Sequence, residues 1–158
     1  MRRITTDHFT INIKHRESTT HLFMHMLSPT LYTDQLPHTY KFLMTHLPCI
    51  YKSKCFNHSK VPFKKEVKDT EIAHLFEHIL LEHLRLEKES RGCKSACFSG
   101  ETRWDWSKNP CGTFHIKVGV KHAELEVFSK AFEKSINLFM SLLDSTKLMH
   151  QRPAVAQN

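Results

Sequence analysis

His74, Glu77 and His78 fall within five consecutive residues, HLFEH, on a stretch with helical periodicity. Two imidazoles four residues apart lie on one side of a helix, where both can reach a single zinc ion, and a carboxylate between them can accept a proton from an activated water. Setting His74 at zero and advancing about 100° per residue puts Glu77 near 300°, His78 near 40° and Glu82 near 80°. Ile72, Leu75, Phe76, Ile79, Leu80 and Leu86 fall between about 100° and 240° on the same wheel. Polar and apolar sets thus occupy opposite faces. His83, near 180°, belongs to the apolar face, where a hydrogen-bonded core imidazole is expected rather than a ligand. The chain holds 13 His, so this spacing arises easily by accident, and a plain polar helix face stands as the alternative to a metal site.

HxxEH is the inverted form of the zincin motif. Catalytic zinc needs a third protein ligand and leaves its fourth position to water. Glu82 shares the face but sits about 12 Å of axial rise from His74, which suits a partner of His78 better than a ligand to the same ion. Glu124 and Glu126 open a later helix, where carboxylates also serve simply to stabilise the N-terminus. Glu126 is the preferred third ligand, because a carboxylate from a second helix can close a tetrahedron that one helix cannot. Glu82 and Glu101 stay open as alternatives.

The elements that must position these groups follow from periodicity. Residues 4–14 alternate Phe9, Ile11 and Ile13 with polar neighbours and predict a strand. Caps at Thr33 or Asp34, with Pro37 in the first turn, predict a short helix that stops at Pro48. Residues 48–68, with Pro48, Pro62 and several lysines, read as an exposed loop. Asp69 or Thr70 then caps the HxxEH helix, about 70–89, which ends at Gly92. Segments 94–98, 101–107 and 113–120 predict a small meander, with Asn109, Pro110 and Gly112 turning between the last two. A helix over about 123–143 carries Phe128, Phe132, Ile136 and Phe139 on one stripe, and 149–158 form a polar tail. The expected fold is α+β: a single domain over 1–148, with a small, mostly antiparallel sheet packed against about three helices.

Composition narrows the function classes. A chain of 158 residues that is 40% hydrophobic can build one core. A mean hydropathy of -0.43, with no apolar run long enough for a bilayer, excludes a membrane span. Four Gly without a phosphate-cradling arrangement give no support to nucleotide-dependent ligation. The net charge of +7 invites an anionic partner, but the lysines are scattered and no RNA-recognition aromatic pattern is present, so nucleic acid is not the expected partner. Five Cys, without a CxxC pair, read as free thiols in a reducing compartment. No apolar segment follows Arg2 and Arg3, so the cytoplasm is the expected location.

Beyond single motifs, the order of segments resembles the N-terminal domain of cyanophycin synthetases. The resemblance is carried by LPCIYKSKCF, DTEIAHLFEHILLEHL, SGETRWDW, GTFHIKV and AELEVF, over about residues 30–145. It implies a domain similar in motif to pitrilysin-type metallopeptidases, with zinc on His74 and His78 and Glu77 as base. It also implies Glu126 as third ligand, by the Glu-Val match, and Arg103 as a contact for a substrate carboxylate. The modules that build the polymer are absent, which implies a stand-alone domain rather than a synthetase. Glu101 stands where the family often has Arg, and Trp104 and Trp106 lie outside its pattern, so a substrate other than cyanophycin stays open.

The expectation is therefore a zinc-dependent hydrolase of a peptide or isopeptide bond. A module that binds a polymer or protein without catalysis is the alternative.

Overall fold

A computed structural model describes residues 2–55 and 61–150. Its centre is a sheet of five antiparallel strands in the order β1-β2-β3-β5-β4. β1 (Arg2–Thr5) and β2 (Phe9–His15) form a hairpin. The predicted single strand over 4–14 is broken because the Thr6 hydroxyl accepts hydrogen bonds from the backbone N–H groups of His8 and Phe9, which turns the chain. β3 (Thr20–Met26) alternates buried Leu22, Met24 and Met26 with His21, Phe23 and His25. Its period of two is made largely by Met and His rather than β-branched residues, so the sequence announces it faintly.

After a 3-10 turn at Thr33–Gln35, α1 (Thr39–His46) is shorter than the predicted helix, because Pro37 falls before it. The expected loop over 48–68 is more ordered than predicted. It contains a 3-10 turn at Pro48–Lys52 and one helical turn, α2 (Phe63–Glu66), both anchored by apolar residues, Ile50 and Phe63, that are fully buried. Residues 56–60 of that segment lie outside the described residues. α3 (Ile72–Ser90) carries HxxEH, with Glu71 at the N-cap position rather than Asp69 or Thr70. Gly92, at φ 93, follows its last turn in the left-handed conformation that ends helices.

β4 (Gly100–Arg103) and β5 (Thr113–Val118) form the second hairpin. Residues 94–98 form no strand, and 104–107 turn away because Asp105 Oδ1 accepts from the Ser107 backbone N–H and hydroxyl. α4 (Leu125–His150) runs beyond the predicted end at 143 and takes in 149–150 of the predicted tail; 151–158 lie outside the described residues.

α3 and α4 pack together against one face of the sheet. The core is the meeting of Phe9 from β2, Phe76 from α3 and Phe139 from α4, with ring centroids 5.2–6.4 Å apart. Such tilted aromatic contacts bury much apolar area per residue. His83 faces this side, where its Nδ1 meets Ser135 Oγ at 2.9 Å. The molecule is thus a single α+β domain, and no described helix is long and apolar enough to cross a membrane.

Candidate metal centre

His74 and His78 project from the first two turns of α3 toward the segment that arrives from α1. Their rings lie 4.8 Å apart at 69°. Cys55 completes a group: one ligand atom from each of Cys55, His74 and His78 lies within 4.8 Å of the others. Cys55 Sγ is 3.5 Å from His74 Nε2. Zn–S and Zn–N bonds of about 2.3 and 2.0–2.1 Å at a tetrahedral angle separate sulfur and nitrogen by about 3.5 Å. The spacing of these two donors therefore already fits one ion.

The rings are oriented by hydroxyls on their other nitrogens. His74 Nδ1 meets Thr70 Oγ1 at 2.8 Å, and His78 Nδ1 meets Ser53 Oγ at 3.2 Å. An imidazole held at Nδ1 presents Nε2 as its ligand atom, the arrangement common to metal-bound His. Phe63 stacks on the His78 ring at 3.8 Å and 16°. Burial brings His74 down to about 4, and burial together with the His74 charge brings His78 down to about 3. Both rings are therefore neutral at pH 7, the form that ligates metal. Glu66 lies beside them: Oε1 is 3.8 Å from His74 Nδ1, the Cys55 thiol donates to its carboxylate, and Oε2 is buried with no partner. A buried, unpaired carboxylate oxygen is costly unless a cation or donor arrives.

The chain matches no protein-family model, no curated protein and no solved structure. The centre must be read from its own geometry.

Glu77, one residue before His78, turns to β4. Thr102 donates its hydroxyl to Glu77 Oε2, and a Cβ placed on Gly100 would stand 2.6 Å from Oε1, so the carboxylate needs a glycine there. Burial pushes the Glu77 carboxyl up to about 7; the Thr102 hydrogen bond holds it back, and the Glu101 charge adds to the rise. A carboxyl at that value exchanges a proton near neutral pH.

The other expected site residues lie elsewhere. Glu126, the preferred third ligand, is 71% exposed and paired with Arg91 at 3.0 Å, just past the C-terminal end of α3. Arg91 is about 25 Å of axial rise from His74, so the first turn of α4 meets the wrong end of the HxxEH helix. Glu124 is likewise held by Lys88. Glu82 is buried but occupied by the Arg85 guanidinium through two hydrogen bonds. Glu101 and Arg103 pair with each other at 2.6 Å on the outward side of β4, while Thr102 between them points inward to Glu77. The resemblance assigned Arg103 to substrate, yet its strand position places it on the far face of the sheet.

Cys55 and Glu66 are the members that sequence reasoning missed. Both lie in a segment without periodicity, where Lys52, Lys54, Lys60, Lys64 and Lys65 give the look of an exposed loop. The available signal was a cysteine upstream of two helical His, a spacing too loose to stand alone.

Proposed function

We propose that this chain is a zinc protein in which Cys55, His74 and His78 hold the ion and Glu77 serves as the base in hydrolysis of a peptide or isopeptide bond. The observation that carries the reading is the convergence of three ligand atoms within 4.8 Å, with both rings braced at Nδ1. One thiolate and two imidazoles favour zinc over hard cations. Three protein ligands are the number found in catalytic rather than structural zinc sites. Bound there, zinc supplies a water activated at neutral pH and a Lewis acid for a carbonyl oxygen.

The chain's own residues do the rest. Thr70 and Ser53 fix the planes of the two rings, and Phe63 walls His78 from solvent. Glu77 accepts a proton at its carboxylate and delivers it to the departing nitrogen, a role suited to a carboxyl near 7. Thr102 and Gly100 set where that carboxylate stands. The likeness of the HxxEH segment to the N-terminal domain of cyanophycin synthetases points to the same chemistry, with an arginine-bearing aspartyl polymer as the first substrate to try. Five thiols without a disulfide accord with a reducing, cytoplasmic setting.

Glu66 favours a second reading. Its Oε2 is buried with no partner and its Oε1 lies 3.8 Å from His74 Nδ1, so a small shift would offer the carboxylate as a fourth ligand, making the ion structural and the domain a polymer- or protein-binding module. The test is zinc content and hydrolysis measured on the same preparations. About one zinc per chain, lost in Cys55→Ser and in His74→Ala/His78→Ala, supports the centre. Retention of zinc with loss of hydrolysis in Glu77→Gln supports the hydrolase. Zinc that binds as tightly to Glu66→Gln as to the wild type removes the four-ligand reading.

A further inference from the structure

The sheet face turned away from α3 and α4 is built differently from the core face. Strand register places Arg3, Asn12, Phe23, His115 and Arg103 in one row across all five strands. At about 4.8 Å between strands, the two arginines stand about 19 Å apart. The adjoining row contains Lys14, His21 and Lys117. In the middle is a ring stack. Phe23 lies on His115 at 4.7 Å and 2°, and His115 lies side by side with His21, centroids 5.1 Å apart at 19°. His21 Nδ1 and His115 Nε2 share a hydrogen bond at 2.9 Å, which pins both rings. Phe23 remains 41% exposed although phenylalanine gains most from burial.

Charge on this face is one-sided. The five strands hold a single carboxylate, Glu101, already paired with Arg103. Partial burial lowers the His21 and His115 values, so at pH 7 the stack is a neutral aromatic platform and the cations surround it. An aromatic platform bordered by cations at several positions is the arrangement that binds unpaired bases by stacking and their phosphates by charge. An acidic peptide would use the cations but leave the ring stack without a partner. Phe23 and His115 are 92 positions apart in sequence, which is why no linear aromatic motif announced the platform.

We infer that this open sheet face binds single-stranded nucleic acid, with bases stacking at Phe23 and His115 and phosphates met by Arg3, Lys14 and Lys117. The site is separate from the metal centre, which lies on the helical side of the sheet.

The test is fluorescence anisotropy of the full chain with labelled 12-nucleotide oligouridylate and oligothymidylate, against a duplex of equal length and polyglutamate as competitors. The expected result is binding of at least one single strand, with the duplex at least about ten-fold weaker and polyglutamate a poor competitor. Replacing Phe23 by Thr, which keeps strand propensity, should weaken binding about five- to a hundred-fold, whereas Phe23→Trp retains it. Lys14→Gln/Lys117→Gln should lower the slope of log K against log salt by about 1.4. His74→Ala/His78→Ala should bind as the wild type does. No binding of either single strand at low salt overturns the proposal. So does polyglutamate competing equally well, or a folded Phe23→Thr that binds unchanged. Should Phe23→Thr fail to fold, the salt slope and the polyglutamate competition decide.

Discussion

Thr102 on β4 donates its hydroxyl to Oε2 of Glu77 on α3, joining the edge of the sheet to the helix that carries both imidazoles. This bond favours the ionised carboxylate, so its loss should move Glu77 further above about 7. In Thr102→Val, the acid limb of the pH profile for hydrolysis should shift to higher pH, with a lower rate at pH 7 and unchanged zinc content. An unshifted acid limb would show that Glu77 is not the group that titrates in turnover.

Gly100 is the counterpart on the other carboxylate oxygen. A methyl group there would meet Glu77 Oε1, Cδ and Cγ at 2.6–2.9 Å, and the side chain is buried with little room to retreat. Overpacking of this kind costs about 1–3 kcal/mol. Gly100→Ala should therefore lower the urea midpoint, and Gly100→Ala/Glu77→Ala should recover part of the loss because the obstructing side chain is gone. Equal stability of Gly100→Ala and wild type would contradict the close approach.

The pH dependence of stability in metal-free protein has a defined sign. His74, His78 and His83 have folded-state values of about 4, 3 and 4, against an ordinary value of 6.5. Below pH 6.5 the unfolded chain binds protons that the folded chain refuses, so stability falls as pH drops from 6.5 toward 4. Glu77 works in the opposite sense: raised from 4.5 to about 7, it gives stability that is present at low pH and lost as pH rises through 7. Three imidazoles outweigh one carboxyl over the acid window. Urea midpoints in the presence of a chelator should therefore rise from pH 4.5 to about 7 and then level off, because Glu77 opposes the imidazoles only between 4.5 and about 7. In Glu77→Gln the rise between pH 4.5 and 7 should be steeper, because the opposing carboxyl is gone.

How much of this was legible beforehand depended on the kind of pattern. α3, β2, β5 and the α+β class follow from periodicity that burial enforces, as do the breaks at Pro48 and Gly92. His83 could be assigned to the core from its angle on the helix wheel alone. β3 was faint because Met and His made its alternation. The partner of the two imidazoles was hidden for a different reason. Cys55 is placed by two buried anchors on either side of it, Ile50 and Phe63, and no period relates a tethered loop to a helix. Glu126 was attractive because it opens a neighbouring helix, but sequence does not say which end of α3 that helix start will meet.

The contrast between Cys55 and Glu126 gives the sharpest test of the centre. Glu126 is exposed and engaged with Arg91 and Lys130, far along α3 from His74. Glu126→Ala should keep its zinc and its thermal midpoint near those of the wild type, since exposed ion pairs contribute little. Cys55→Ser should lose most of the metal, because a hydroxyl is a poor ligand for zinc where a thiolate is a good one. Cobalt substitution reports the same contrast spectroscopically. Wild type and Glu126→Ala should show a thiolate-to-cobalt charge-transfer band, and Cys55→Ser should not. If Glu126→Ala lost both zinc and the band while Cys55→Ser kept zinc, the ion would be held by the second helix and the Cys55 group would not be the centre.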